Sequence, residues 1–155
     1  MAGHLLRLAE AHGAKILLTT SRRTGLEAER SLQRSLGVHP ALIQTTYFNH
    51  KPERVMAKYL GAADLVFCTA ESGTMLSEAI ATGKATYAMI PSNAKPSAFY
   101  QTFLASHVNA GRLKTVSMDQ LDAIDPRSDL ACVFHLLAED PITSLAKQLR
   151  PWLTS

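Results

Sequence analysis

Asp64-Leu65-Val66-Phe67-Cys68-Thr69-Ala70-Glu71-Ser72-Gly73-Thr74-Met75-Leu76-Ser77-Glu78-Ala79-Ile80-Ala81-Thr82-Gly83-Lys84-Ala85-Thr86-Tyr87-Ala88-Met89-Ile90 is the stretch that decides the fold. Residues 64–68 form a continuous apolar run that gives way to a small, polar turn at residues 69–73. Leu76, Ala79, Ile80 and Gly83 then recur at helical spacing, and residues 85–90 form a second apolar run. Strand, helix and strand within about thirty residues make a βαβ unit. Both strands are apolar throughout instead of alternating, which requires a parallel sheet covered on both faces.

The same alternation extends outward. Leu5, Leu8, Ala9 and His12 mark a first amphipathic helix stopped by Gly13, and residues 15–19 read as a buried strand that ends where Arg22 and Arg23 begin. Thr24 and Glu27 have the spacing of a capping box for a helix carrying Ala28, Leu32 and Leu36 and ending at Gly37. A strand at residues 41–44 and a helix opened by Pro52, with Val55, Met56, Tyr59 and Leu60 on one face, lead into the decisive stretch. Beyond the loop from Pro91 to Pro96 come a helix carrying Phe99, Phe103 and Leu104, a stop at Gly111 and a strand at residues 113–116. Leu130, Val133, Phe134 and Leu137 give a late helix, and Asp140-Pro141 caps another that carries Ile142, Leu145, Ala146 and Leu149, with Trp152 pinning the tail. The expected fold class is α/β: a doubly wound, mostly parallel open sheet of about five strands with helices on both faces, Rossmann-like.

At 155 residues, 46% hydrophobic and 19% charged, the chain is sized for one domain with a substantial core. No apolar run approaches the roughly 20 residues of a membrane span. The start, Met1-Ala2-Gly3-His4, has neither the basic region nor the apolar stretch of a signal peptide, which argues against secretion. Cys68 and Cys132 sit in apolar runs without ligand spacing and read as reduced and buried. A net charge of +3 suits an anionic ligand without demanding a polyanion. Aromatics are 6% of the chain and are not interleaved with basic residues, which disfavours a nucleic-acid surface. The six histidines show no metal-ligand spacing, and the fingerprints G-x-S-x-G, G-x-G-x-x-G and G-x-x-x-x-G-K-[ST] are missing.

In open parallel sheets ligands bind at the carboxyl ends of the strands, so chemistry is sought in the turns after Thr19, Cys68 and Ile90. Glu71-Ser72-Gly73-Thr74 offers hydroxyls, a glycine for close backbone approach and the N–H groups of a starting helix, a set that suits a phosphate or equally an ordinary helix cap. Glu78 lies opposite the Leu76/Ala79/Ile80 stripe, where it either accepts hydrogen bonds from a sugar hydroxyl or complements the helix dipole. Arg22 and Arg23 either clamp phosphate oxygens or stay solvated beside Glu27 and Glu29. No catalytic base stands out.

Residues 63–87 resemble the elongated-mitochondria, or mitochondrial-fission, family and its bacterial relatives. Ser21-Arg22-Arg23-Thr24 resembles a second motif of that family at about the right distance upstream, and weaker similarity runs from Lys95 to Val116. The family is similar in turn to the C-terminal, donor-binding half of B-type-fold glycosyltransferases, including the N-acetylglucosamine transferase of peptidoglycan synthesis. The resemblance implies one Rossmann-like domain over residues 1–155 with a crevice for a nucleotide-sugar of the UDP-sugar class, and no other cofactor or metal. It implies ligand contacts at Ser21, Arg22, Arg23, Ser72, Gly73, Thr74, Ser77 and Glu78. Among these, Ser72, Gly73 and Thr74 would meet the diphosphate, and Glu78 would match the acid that holds the ribose hydroxyls.

Family members carry a further strand and a glycine-rich turn before the helix that here begins at Met1, and B-type transferases have an N-terminal domain that supplies the acceptor site and usually the base. The resemblance therefore implies the C-terminal half of a longer two-domain protein, completed by that domain or by a second chain. Such a half-domain is not expected to catalyse alone; the full-length protein, if an enzyme, would be a glycosyltransferase. The alternative is a non-catalytic protein-interaction scaffold, which the plant members suggest through their link to recruiting division machinery to mitochondria. The expected location is the cytoplasm, including the periphery of a membrane.

Overall fold

The computed structural model describes residues 2–131 together with Lys147 and Arg150. The expected helix carrying Val133, Phe134 and Leu137, the one opened by Asp140-Pro141, and Cys132, His135 and Trp152 lie outside the described residues. The order is α1 (Ala2–His12), β1 (Ile16–Thr19), a 3₁₀ turn (Arg22–Thr24), α2 (Leu26–Leu36), β2 (Leu42–Thr46), α3 (Met56–Ala62), β3 (Leu65–Thr69), α4 (Gly73–Ala81) and β4 (Ala85–Ile90). Then follow α5 (Ala98–Asn109), β5 (Lys114–Ser117), a second 3₁₀ segment (Met118–Ala123) and α6 (Pro126–Ala131). No helix among the described residues is long and apolar enough to cross a membrane.

The fold is α/β and Rossmann-like, with every strand pairing parallel. Among the described residues, five strands divide into two hydrogen-bonded ladders, β1–β2 and β3–β4–β5, whereas the sequence pattern predicts a single sheet. Apolar runs specify buried parallel strands but not which edges meet, because pairing partners are distant in sequence.

The β3–α4–β4 unit holds the best-buried core. Leu76, Ala79 and Ile80 on α4 are essentially inaccessible, and Leu76 and Ile80 cluster with Cys68, Ala70, Ala88, Leu104 and Leu113 to join α4 and α5 to the three-stranded ladder. Each fully buried Leu or Ile contributes about 1.5–3 kcal/mol over its exposed state. Phe67 and Tyr87, neighbours in register, stack with ring centroids 5.2 Å apart. Lys84 ties this unit to α3 by donating to the carbonyls of Gly61 and Ala63, the C-terminal end of a helix where a cation is favoured. Phe99, expected to share a packed helix with Phe103 and Leu104, is 82% exposed, because it falls on the opposite side of α5 from Leu104.

Two helix starts differ from the local sequence signals. Thr24 and Glu27 do not cap α2. Gly25, at φ +75°, occupies the N-cap, and Thr24 Oγ1 instead accepts from the Ser21 N–H at 3.1 Å to close the 3₁₀ turn. Pro52 does not open α3, which begins at Met56 with Val55 as its N-cap.

Candidate functional site

The turns after β1 and β3 carry the residues singled out from the sequence. Ser72 occupies the N-cap position of α4 with φ −99° and ψ 72°, but its side chain makes no capping hydrogen bond although the residue is buried. The first intrahelical bond runs from the Leu76 N–H to the Ser72 carbonyl at 2.9 Å. The N–H groups of Gly73, Thr74 and Met75 therefore have no intrahelical acceptor, and among the described residues no side chain supplies one.

Tyr100, on the first turn of α5, lies over this helix end. A Cβ added at Gly73 would come 3.3 Å from the Tyr100 ring and 3.8 Å from its hydroxyl, so a larger residue would have to push the ring back by a few tenths of an ångström. The Tyr100 hydroxyl is buried and has no hydrogen-bond partner among the described residues. Burial pushes its pKa up, Cys68 and Glu71 push it the same way, and the positive charge of Arg23 opposes them. The charge of Arg23, in the 3₁₀ turn after β1, thus reaches the Tyr100 hydroxyl that lies over the α4 N-terminus. The Cys68 thiol beneath is pushed up to about 12 by burial and then by the charges of Glu71 and Glu78, which fits a buried, inert cysteine.

Ser72 is buried, Gly73 is half-buried, and Thr74, Ser77 and Glu78 are exposed along α4; Ser21 is half-buried, and Arg22 and Arg23 are exposed in the 3₁₀ turn. The structure brings Arg23, Gly73, Tyr100 and Glu71 into one electrostatic neighbourhood with Cys68, which Glu78 also reaches. It gives no contact that draws Arg22, Ser21 or Ser77 into that neighbourhood.

The arginine turn rests on a buried carboxylate. Glu29, close to the arginines in sequence, has no accessible surface. It lies on α2 three and seven residues before Leu32 and Leu36, a spacing that places it on the inner face of the helix. Thr20 Oγ1 donates to Glu29 Oε1, and the Asn49 N–H donates to Oε1 and Oε2 at 3.1 and 3.2 Å. Asn49 Nδ2 donates to Oε1 at 2.9 Å and to the Ser21 carbonyl at 3.2 Å, and the Phe48 N–H donates to Thr20 Oγ1 at 2.9 Å. Burial by itself would raise the Glu29 pKa; the hydrogen bonds from Thr20 and Asn49, with the charge of His50, outweigh it and hold the carboxyl below its usual range. The cluster locks the end of β1, the loop after β2 and α2 together, and so fixes the base of the turn that carries Arg22 and Arg23. Glu29, Asn49 and Tyr100 were not among the residues singled out from sequence; the spacing of Glu29 to Leu32 and Leu36 was the signal for the first of them.

No group of three or more His, Cys, Asp or Glu side chains among the described residues is arranged to hold a metal ion. A family model described as Mitochondrial fission ELM1 matches residues 1–125. Neither the curated proteins nor the solved structures contain a match to the chain.

Proposed function

From the premise that this chain belongs to the mitochondrial fission ELM1 family, we propose that it is a nucleotide-sugar-binding half-domain of a glycosyltransferase-like protein, taking a ligand of the UDP-sugar class. The reading is supported above all by the free N–H groups at the start of α4, which lie beside an unpartnered Tyr100 hydroxyl and within the field of Arg23. A diphosphate is the ligand chemistry that uses all three, since its oxygens accept from backbone N–H groups, a phenol and a guanidinium together. In this reading Ser72 and Thr74 add hydroxyl donors, and Ser21 and Arg22, in the same turn as Arg23, are proposed as further ligand contacts. Ser77 and Glu78, exposed one turn further along α4, face the sugar and ribose hydroxyls, with the Glu78 carboxylate as acceptor.

The half-domain binds and orients the donor. The acceptor site and the catalytic base belong to a further domain or to a second chain. Equilibrium dialysis of the folded chain against UDP and a panel of UDP-sugars tests the reading. Saturable binding is expected, weakened about tenfold or more in Arg23→Ala and Glu78→Ala, the scale of one lost charge-assisted hydrogen bond. Absence of saturable binding at millimolar ligand would overturn it.

A second reading, a non-catalytic interaction scaffold, is favoured by the Phe99 side chain standing 82% exposed on the first turn of α5. In a functional assay for the protein, a scaffold tolerates Glu78→Ala and Arg22→Ala and fails on Phe99→Ser.

A further inference from the structure

Charge is divided unevenly along the chain. Residues 15–58, which hold the β1–β2 ladder and α2, carry eight of the sixteen Lys and Arg residues but only three of the thirteen acids. One of those acids is Glu29, whose buried carboxylate is already taken up by Thr20 and Asn49. Cations are therefore in excess on this half. Two turns gather four side chains that can carry positive charge: Arg22 and Arg23 after β1, His50 and Lys51 after β2.

The strands bring these turns together. β1 and β2 run parallel with Thr19 opposite Thr46, so both chains leave the ladder at the same end. The turn after β2 closes on itself, the Tyr47 carbonyl accepting from the N–H groups of His50 and Lys51 at 3.0 Å each. It is then bonded to the arginine turn: the Phe48 N–H donates to Thr20 Oγ1 at 2.9 Å, and Asn49 Nδ2 donates to the Ser21 carbonyl at 3.2 Å. Arg22 directly follows the accepting residue, and His50 and Lys51 directly follow the donating one. All three side chains are exposed, and among the described residues none forms a salt bridge, not even with the exposed Glu27 and Glu53 of the same half. Positive groups gathered in this way raise one another's electrostatic energy until an anion lies among them.

We infer that the two turns form an anion subsite of their own, which takes a phosphate monoester among Arg22, His50 and Lys51. The donor set selects the ligand. A phosphate monoester has three terminal oxygens and close to two negative charges to share among a guanidinium fork, an imidazole N–H and an ammonium, where a carboxylate offers two oxygens and one charge. A soluble ester and a lipid headgroup present the same group. The subsite is built from different elements than the start of α4, shares only the arginine turn with the proposed UDP-sugar contacts, and does not depend on that reading.

Titration of the ¹⁵N-labelled 155-residue chain with inorganic phosphate, at constant ionic strength set by chloride, tests this. The amides of Arg22, Asn49, His50 and Lys51 should shift along one saturable isotherm. Lys51→Ala should weaken that binding about tenfold, the scale of one charge-assisted hydrogen bond. Lys58→Ala, which removes a cation of the same half from outside the two turns, should leave it unchanged, as should Tyr100→Phe at the start of α4. Sedimentation with phosphatidylcholine vesicles containing phosphatidic acid then separates the sources: retention abolished by Lys51→Ala assigns a lipid headgroup, and phosphate binding without retention assigns a soluble ester. Absence of saturable shifts at millimolar phosphate in a folded chain would overturn the proposal. So would shifts confined to Gly73, Thr74 and Met75, equal shifts with chloride alone, or a loss in Lys58→Ala as large as that in Lys51→Ala, which would reveal diffuse charge attraction in place of a site.

Discussion

Replacing Glu29 by glutamine keeps the shape of the side chain and removes its charge from a site with no accessible surface. Its carboxylate accepts from Thr20 Oγ1, from the Asn49 N–H through both oxygens, and from Asn49 Nδ2. A glutamine oxygen in the place of Oε1 retains three of these contacts as neutral hydrogen bonds, each about half as strong as its charge-assisted counterpart. The amide NH₂ then occupies the place of Oε2, where it meets the Asn49 N–H, donor against donor. At about 0.5–1 kcal/mol for each weakened bond and a further ~1 kcal/mol for the clash, Glu29→Gln should destabilise the fold by about 2.5–4 kcal/mol. In urea titration followed by far-UV circular dichroism, that is a midpoint lowered by about 1–2 M at an unchanged slope. Glu27→Gln, two residues away on the exposed side of the same helix, should stay within about 0.5 kcal/mol of the parent. A Glu29→Gln change no larger than that of Glu27→Gln would refute the buried-anchor reasoning.

Because the Glu29 pKa is lowered on folding, its contribution is complete above the unfolded value, near 4.5, and is lost as pH falls through the folded value. The stability gap between the parent and Glu29→Gln should therefore narrow on acidification below about pH 4.5, as denaturant midpoints at pH 7, 4 and 3 would show. Tyr100→Phe removes a buried hydroxyl that has no partner, so it should leave the melting temperature unchanged or slightly raised while weakening UDP binding. With its thiol pushed up from 9.0 to about 12, Cys68 should carry about a thousandfold less thiolate at pH 8 than an ordinary cysteine. Iodoacetamide labelling mapped by peptide mass should find it unmodified in the folded chain and labelled in urea.

Residues 64–90 were legible because each local signal has one solution. Apolar strands bracket Leu76, Ala79 and Ile80 at helical spacing, and all three prove essentially inaccessible on α4. Burial of Cys68 followed from its place in the same run. Signals that depend on a few neighbouring residues were weaker. Thr24 and Glu27 have the spacing of a cap, yet Gly25 with its positive φ starts the helix, because Thr24 is already engaged by Ser21. The role of Glu29 was hidden for a different reason: its partners Thr20 and Asn49 lie 9 and 20 residues away, and only the fold brings the three together. Tyr100 was hidden likewise, since nothing near it in sequence places its ring over Gly73. The division into two ladders is the most non-local feature and the least readable.

The proposed ligand site joins the turn after β1 and the turn after β3 into one anion site. Titration of the ¹⁵N-labelled chain with UDP, followed by amide chemical shifts, tests it most directly. Gly73, Thr74 and Met75 are expected to shift together with Arg22 and Arg23 along one binding isotherm, while Ala85 to Met89 stay in place. Shifts confined to one of the two turns, or none at millimolar UDP in a folded chain, would contradict it.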